Sequence, residues 1–219
     1  KLKAYFLQNL FPAKGEKVPK IRFKGFTGAW EQRKLGEITE LLTGYPFESN
    51  EFTDGGIKLV RGMNVKRGYL DFSSGITKYW RSSNGVERYL LTNGDIVIQM
   101  DGALIGQSYA RIAKKQLPAL LVQRVTRVRV KTAISDSAFV YNSIQKGFLP
   151  YIKLNKTETA VPHLSLNDIS NYEMAMPSFE EQQQIGTFFI QLDNIITLHQ
   201  QKITQLQAVK KFLLQNLFV

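Results

Sequence analysis

The sequence predicts an α+β fold, in which a globular domain with a mixed, largely antiparallel sheet is followed by one long helix of the coiled-coil type. Two observations predict it. Short runs rich in β-branched residues, broken by Gly and Asn, fill the middle of the chain from Ile57 to Val130. After Pro177, apolar residues recur at helical spacing as far as Phe218 without another proline.

The composition is that of a basic globular protein. The chain has 219 residues, of which 43% are hydrophobic, and its 14 Phe suffice to build a core. It has no cysteine, which excludes disulfides and thiolate metal sites, and no apolar run approaches the ~18 residues that span a bilayer, so no membrane partner is expected. The formal net charge of +11 resides before residue 179. This distribution favours a polyanion such as nucleic acid as the partner.

The two ends of the chain share a peptide, FLQNLFP at residues 6–12 and FLLQNLFV at residues 212–219. With an offset of 207, one set of residues recurs in the other: Lys3, Leu7, Gln8, Asn9, Leu10 and Phe11 return as Lys210, Leu214, Gln215, Asn216, Leu217 and Phe218. The repeat predicts that residues 1–11 form the end of a helix like the one at the C terminus. Residues 12–19, rich in Pro, Gly and Lys, are then a linker to a domain over residues 20–177.

Within residues 20–177, WEQRKLGEITELLTGY predicts a short strand followed by a helical turn. Further strands are predicted in GIKLVRGMNV, GYLDF, NGDIVIQM, SYARI and VTRVRVK. Residues 135–154 predict a helix and a separate helical turn, and NYEMAMP predicts a last strand before the long helix.

The long helix is predicted over residues 178–219. Ser178 is in position to be its N-cap, and Glu181 three residues later completes a capping-box pattern. With Ile185 at heptad position a, the apolar stripe lasts nearly five heptads, which is too long for an ordinary domain helix and predicts a helical partner. His199 also falls at an a position, where we interpret it as a polar contact that sets register. The predicted helix–helix interface comprises Ile185, Phe188, Phe189, Leu192, Ile195, Ile196, Ile203, Leu206, Val209 and Leu213.

Catalytic motifs are not found in the sequence. It has no G-x-x-x-x-G-K-[ST] phosphate loop, and MDGALIGQS does not match G-x-G-x-x-G. GYPFES lacks the polar residue and the second proline of the Asn/Asp-Pro-Pro-aromatic motif of amino-methyltransferases. Asp95 follows Asn-Gly and is interpreted as a turn residue, while His163 has no acidic neighbour in the sequence. No catalytic or metal-binding residue is therefore predicted.

Clusters of basic residues instead favour binding. KLVRGMNVKRGYL places four cations around glycines, which allow close approach of the backbone to a phosphate, and an asparagine, which can read base edges. KYWRSSN adds cations beside two aromatic residues, and QRVTRVRVK puts Arg127 and Arg129 on one strand face. The predicted DNA contacts are Lys58, Arg61, Asn64, Lys66, Arg67, Lys78, Arg81, Arg124 and Arg127.

Four stretches resemble the DNA-specificity subunits of type I restriction–modification systems. They are GFTGAWEQRKLGEI (25–38), NGDIVIQMDGALIGQSYARI (93–112), LLVQRVTRVR (120–129) and TAVPHLSLNDISNYEMAMPSFEEQQQIGTFFIQLDNII (159–196). The last contains a Pro-x-x-x-Glu-Gln turn that opens a long helix carrying Leu-Asp, which is a strong marker of that family. The resemblance covers nearly the whole chain.

The resemblance implies a non-catalytic reader of double-stranded DNA. Residues 20–177 would be a target-recognition domain for one half of a split target, and residues 178–219 a spacer and dimerisation helix. Such subunits usually carry two recognition domains and two long helices in alternation. The chain is therefore expected to correspond to the distal half, as a fragment or a naturally short half-subunit, and residues 1–11 to the end of a preceding spacer helix.

The resemblance also implies partners. Methyltransferase subunits would dock on the exposed flank of the long helix, a restriction and translocation subunit would join through the complex, and a second half-subunit or another copy would pair along the helix. No cofactor is expected in this chain, since S-adenosylmethionine, ATP and Mg would belong to the partner subunits. The expected location is the cytoplasm of a bacterial or archaeal cell, in association with the nucleoid.

Two other functions stay open from the residues alone. One is a divergent DNA methyltransferase or nuclease. The other is a coiled-coil adaptor whose basic globule binds RNA or protein.

Overall fold

The computed structural model describes residues 1–155 and 163–217. Its helices and strands are, in chain order, α1 (Leu2–Asn9), β1 (Glu31–Lys34), α2 (Leu35–Ile38), β2 (Thr39–Thr43), β3 (Ile57–Val60), β4 (Tyr79–Trp80), β5 (Ile96–Gln99), β6 (Tyr109–Arg111), β7 (Ala119–Leu121), β8 (Val125–Val130), α3 (Ser137–Asn155), α4 (Leu166–Ser170), β9 (Glu173–Met176) and α5 (Phe179–Asn216). Residues 156–162, within the predicted 20–177 domain, and residues 218–219, at the end of the predicted helix and the terminal repeat, lie outside the described residues.

The described strands form three sheets. The largest has the order β2-β8-β5-β6 and is antiparallel throughout. In the second, β3 pairs antiparallel with β4 and parallel with β7. Strands β1 and β9 form the third, an antiparallel pair with Glu31 opposite Met176. The predicted mixed, largely antiparallel sheet and the long C-terminal helix are confirmed.

Two predictions of local structure are wrong. The GYLDF stretch is not a strand, because apart from a single bridge between Val65 and Leu70 it runs irregularly over the protein. Residues 137–155 form one helix rather than a helix and a separate turn, although Pro150 lies inside it. Pro150 is on the exposed side, and Phe148 and Ile152 on the other side stay buried, so core packing keeps the helix continuous.

The main core joins α1, α3 and α5 to one face of the four-stranded sheet and to the β1–β9 pair. Its largest fully buried side chains include Trp30, Phe139, Phe148 and Phe189. Phe11, just after α1, contacts the rings of Trp30, Phe139 and Phe189, with centroid distances of 6.2, 5.3 and 6.1 Å. The start of the long helix therefore shares its core with the globular part of the chain.

Helix α5 begins as predicted at the Ser178 N-cap, whose hydroxyl accepts a hydrogen bond from the Glu181 backbone N–H. The reciprocal half of the capping box is not made. The carboxylate of Glu181, 1% exposed, instead accepts two hydrogen bonds of 2.7 Å from the Arg22 guanidinium. A bidentate charge-assisted pair is stronger than a bond to one backbone N–H, so Glu181 ties the helix start to the connector.

A glycine allows α5 to lie close to the start of α3. A Cβ on Gly186 would approach Asp136 Oδ1 to 2.3 Å and Ala138 Cβ to 3.1 Å. One turn earlier, the side-chain oxygen of Gln182 accepts a 3.1 Å hydrogen bond from the Asp136 backbone N–H. The small residue at position 186 is thus required by helix packing.

The predicted helix–helix interface divides into two parts. Ile185, Phe189 and Leu192 are buried in the main core of the same chain, and Phe188 and Ile196 pack on its edge, so these residues do not form the free stripe that the heptads predict. The correction has a tertiary cause, because α1 and α3 already cover this part of α5. Members of the distal part remain exposed: Ile195, Ile203, Leu206, Val209 and Leu213.

Helix α1 runs antiparallel to α5 along this covered part. The rings of Phe6 and Phe188 meet edge to face at 4.8 Å. One turn farther along α5, Lys3 Nζ lies 2.6 Å from an Asp193 carboxylate oxygen. In the part of the chain that the structure describes, every helix is too short or too polar to cross a bilayer.

A second unit, which we call the small lobe, consists of residues 44–92 together with β7. One apolar cluster containing Val60, Val65 and Leu70 lies between this lobe and the four-stranded sheet. Another, containing Phe47 and Leu59, holds the lobe together. The lobe is therefore packed firmly on the sheet, and its outer surface is available for binding.

Candidate nucleic-acid interface

The small lobe brings together seven of the residues predicted to contact DNA. Lys58 lies on β3, opposite Tyr79 of β4, and Lys78 and Arg81 flank β4. The remaining four, Arg61, Asn64, Lys66 and Arg67, lie in the segment that follows β3. Arg67, Lys78 and Arg81 are exposed, whereas Lys58, Arg61 and Lys66 are half-buried. The fold of residues 58–81 thus gathers these cations on one lobe.

These cations retain their charge for a partner. Within residues 1–155 and 163–217, none of the six forms an ion pair with a carboxylate. Exposed carboxylates do occur nearby, at Glu48, Glu51 and Asp54 in the loop before β3. The surface therefore combines unneutralised cations with acceptors, an arrangement that suits base edges as well as phosphates.

Arg61 also has a structural role. Its guanidinium donates a hydrogen bond to the Ile76 carbonyl oxygen and lies 5.7 Å from the centre of the Phe52 ring. Partial burial lowers the pKa of this arginine from its usual value. Arg61 thus links the segment after β3 to the loops on either side, and only part of its side chain faces solvent.

Asn64 has a different role from the predicted base contact. Its side chain is fully buried. The amide oxygen accepts a 3.0 Å hydrogen bond from the Arg61 backbone N–H, and the amide nitrogen donates a 2.9 Å bond to the Asp71 carbonyl oxygen. Both ends of the amide are used inside the protein, so Asn64 braces the loop.

Arg127, which was predicted to contact DNA, is likewise buried. It lies on β8 with its side chain on the face that is covered by the small lobe, and it donates a 3.2 Å hydrogen bond to the Arg88 carbonyl oxygen. Burial lowers its pKa, and the neighbouring Arg129 cation adds to the effect. Arg127 lines an open cleft of ≈ 590 Å³ that also exposes Glu40 and Glu87.

Arg129 lies on the same strand face, as the alternation of VTRVRVK predicts. Two 2.7 Å hydrogen bonds join it to the buried carboxylate of Asp95, and this pairing raises the pKa of Arg129. It also donates a 3.3 Å hydrogen bond to the Leu90 carbonyl oxygen. Asp95 accepts a further bond of 2.7 Å from the Thr92 backbone N–H, in the turn predicted for it. Both arginines therefore fasten residues 87–92 to the sheet.

Arg124 lies outside the small lobe, in the turn between β7 and β8. Its guanidinium is 3.3 Å from Asp101, whose other carboxylate oxygen bonds to His163 Nδ1. His163 thus has an acidic partner that its sequence neighbours did not reveal. The same three segments are also joined through their backbones. The Met100 N–H donates a 2.9 Å hydrogen bond to the Arg124 carbonyl oxygen, and the Leu164 N–H donates a 2.7 Å hydrogen bond to the Met100 carbonyl oxygen. The cluster therefore fastens surface loops together.

Residues 1–155 and 163–217 contain no group of three or more His, Asp or Glu that could hold a metal ion. The sequence interpretation did, however, miss two exposed apolar side chains among the cations, Met63 and Tyr69. The signal present in the sequence was the position of both residues within the basic stretch KLVRGMNVKRGYL.

Comparison with known proteins is consistent with this surface. Residues 28–208 match the family model described as the type I restriction modification DNA specificity domain. The chain is 30% identical over 169 residues to the EcoAI specificity subunit of Escherichia coli, covering 76% of this chain and 28% of that protein. It is 26% identical over 186 residues to the MjaVIII specificity subunit of Methanocaldococcus jannaschii, covering 83% of this chain and 44% of the relative.

Solved structures share the fold. A chain from a structure concerned with complex assembly and conformational transition of the type I R-M system superposes with a TM-score of 0.67 at 16% identity, covering 97% of this chain and 48% of that one. The chain therefore spans less than half the length of the relatives and the structure it matches. The match of the family model to most of its length shows that the chain belongs to the family of type I restriction–modification DNA specificity domains.

Proposed function

We propose that this chain reads one half of a bipartite double-stranded DNA target in a type I restriction–modification complex and has no catalytic activity of its own. The observation that carries the proposal is the set of unneutralised cations on the small lobe of a domain that belongs to this family. Lys78 and Arg81 flank β4, and Arg67 projects from the neighbouring segment. Phosphate contacts from such residues supply affinity, and base contacts supply sequence choice.

The distal part of α5, residues 195–216 apart from Ile196, which packs on the edge of the main core, would act as the spacer. Along it, Leu198, Leu206 and Phe212 are more than half exposed, and no described segment covers them. A helix of 38 residues spans ~57 Å at a rise of about 1.5 Å per residue, so a helix paired along it would hold a second reader at a fixed distance. The second reader would belong to the other half of a specificity subunit or to another copy of this chain.

Methyltransferase subunits would dock on the remaining flank of α5 and carry S-adenosylmethionine. The restriction subunit would supply ATP- and Mg-dependent cleavage. Support for these partners comes from the relatives, two of which are named as specificity subunits of type I restriction enzymes. In this arrangement, the globule of the present chain contributes sequence choice, and the chemistry takes place on other subunits.

The proposal is tested by selection from a library of random DNA duplexes with the purified chain, followed by affinity measurements on the enriched duplex. We expect one motif to be enriched and the logarithm of the binding constant to fall linearly with the logarithm of salt concentration. Replacing Arg67 by Ala should reduce the steepness of that line by about 0.9, the value for one phosphate contact. Lys210→Ala, which removes an exposed cation from the distal helix, should leave it unchanged.

The alternatives give different outcomes. Equal competition by RNA of the same length would favour the adaptor with an RNA-binding globule. Turnover of DNA by the purified chain with Mg²⁺ or a methyl donor would favour an enzyme. Failure to enrich any duplex sequence would contradict the proposal that this chain recognises a specific DNA sequence.

A further inference from the structure

The segment from Arg61 to Phe72, between β3 and β4, exposes apolar surface amid its cations. Tyr69 is 58% exposed and Met63 is 51% exposed. Isolated exposed apolar residues are common on proteins, but these two belong to one short segment that also presents Arg67 to solvent. Their exposure has a functional meaning only if the rest of the protein holds this segment in one conformation.

The base of the segment is rigid. Val65 and Leu70 form a β-bridge and are both buried in the apolar cluster under the small lobe. The Lys66 backbone N–H donates a 2.9 Å hydrogen bond to the Tyr69 carbonyl oxygen, which closes a tight turn between them. Asn64 braces the same stretch from inside, through its bonds to Arg61 and Asp71.

The turn at the tip is held from the other side as well. The backbone N–H of Gly68, which has φ = +91°, donates a 2.8 Å hydrogen bond to the Tyr109 carbonyl oxygen. The Tyr109 backbone N–H in turn donates a 3.2 Å hydrogen bond to the Lys66 carbonyl oxygen. The Tyr141 hydroxyl donates a 3.0 Å bond to the Gly68 carbonyl oxygen. Burial raises the pKa of the Tyr141 phenol, so it stays a donor at any physiological pH. The backbone of such a turn is held in place before it binds, which lowers the entropic cost of binding.

Arg67 is positioned by the same support. Burial raises the pKa of the Tyr109 phenol, and the adjacent Arg67 guanidinium, which hydrogen-bonds to that phenol, opposes the shift. The guanidinium therefore lies beside the Tyr109 phenol, while Arg67 as a whole remains exposed. The braced turn thus carries an exposed cation and, two residues later in the sequence, an exposed aromatic residue.

We propose that the Lys66–Tyr69 turn enters the major groove of the target duplex and that the Tyr69 ring contacts the C5-methyl group of a thymine. The inference rests on the proposed function and adds to it a specificity-determining residue. A two-stranded turn fits the major groove of B-form DNA, and the thymine methyl is the apolar group that this groove displays. The neighbouring Arg67 and Lys66 contact acceptors on the bases or backbone at the same step.

The chemistry distinguishes duplex DNA from RNA as the occupant. The major groove of A-form RNA is too deep and narrow to admit side chains, and RNA carries uracil without the methyl group. If the Tyr69 ring contacts the thymine methyl group, the preference for thymine at that position depends on this one group. Removal of that group tests the proposal without altering the charge or hydrogen bonds of the DNA.

The experiment uses the full chain and the duplex it enriches from a random library, with each thymine replaced in turn by deoxyuridine. One replacement should weaken binding by the wild-type chain about fourfold, the value that burial of one methyl-sized group corresponds to. Tyr69→Ala should lose this sensitivity and relax the preference at that position. Tyr69→Phe, which keeps the ring, should retain both.

A matched control is Tyr5→Ala, because Tyr5 is a tyrosine of similar exposure, 53%, on α1 and outside the small lobe. It should bind and discriminate as the wild type does. The proposal is overturned if the enriched motif lacks thymine, if no deoxyuridine duplex is bound more weakly, or if Tyr69→Ala keeps the wild-type preference. That last result would show that the Tyr69 ring does not read the thymine methyl group. If the wild-type chain enriches no motif, the proposed reader function itself fails, which is a different outcome from loss of the Tyr69 effect alone.

Discussion

The two parts of α5 have the same heptad pattern but opposite surroundings. In the proximal part, Phe189 is fully buried, with its ring 6.1 Å from that of Phe11. In the distal part, Leu206 occupies a predicted interface position yet is 56% exposed. An apolar stripe thus predicts that a helix will be covered, but it does not predict whether the cover comes from the same chain or from a partner.

The proximal part of α5 contributes to the stability of the fold, whereas the distal part contributes to association with a partner. The proximal part carries Gly186, the Glu181 pair with Arg22, and contacts with α1 and α3, all of which stabilise the fold of this chain. The distal part contributes length and an apolar surface, which serve association. Substitutions in the two parts should therefore affect different measurements.

The largest effect is expected for Phe189→Ala. Removal of a fully buried aromatic ring leaves a cavity and should lower the free energy of unfolding by about 3–5 kcal/mol. Leu206→Ala, the distal counterpart, should change it by no more than about 0.5 kcal/mol. Both values are measured by urea denaturation at submicromolar concentration, where association is weak. Equal effects of the two substitutions would contradict the division of the helix.

The next effect concerns association. If the distal part pairs with a second copy, the wild-type chain should show a mass above that of a monomer at micromolar concentration by sedimentation equilibrium. Leu206→Asp places a charge in the apolar stripe and should weaken this association at least about tenfold. Gln207→Asp introduces the same charge on the adjacent, outward heptad position and serves as the control. A strictly monomeric wild-type chain, or equal disruption by the control, would count against self-pairing.

The smallest effect is expected where α1 meets the boundary between the two parts. Lys3 and Asp193 form an ion pair of 2.6 Å, but the Asp193 side chain is 43% exposed. Solvent screens such a pair, so Lys3→Ala should lower the free energy of unfolding by about 0.2–1 kcal/mol, and the difference should shrink in 1 M salt, a concentration at which charges are screened within about 3 Å. A loss well above this range would show that α1 depends on this single contact.

Local chemistry in the sequence predicted local structure well. The Ser178 cap, the Asp95 turn and the common face of Arg127 and Arg129 depend on neighbours within a few residues, and the structure contains all three. The fold class and the long helix also followed from periodicity, which reports on burial along the chain.

Predictions failed where the decisive neighbour is distant in sequence. Asn64 was expected to read bases, but the fold places the Asp71 carbonyl and the Arg61 N–H around its amide. Arg127 was predicted to contact DNA, but its side chain is buried and donates a hydrogen bond to the Arg88 carbonyl oxygen. His163 was expected to have no acidic neighbour, but Asp101, 62 residues away, pairs with it. Residue type alone does not reveal which polar groups the tertiary structure has already satisfied.

In the proposed function, the small lobe of this chain determines which DNA sequence its complex modifies. The most direct test maps methylated bases across the genome of cells that express this chain with the methyltransferase subunits of its own system. We expect methylation within one recurrent motif, and loss or alteration of one part of that motif when residues 61–72 are replaced by those of another family member. An identical motif before and after that replacement, or in cells without this chain, would contradict it.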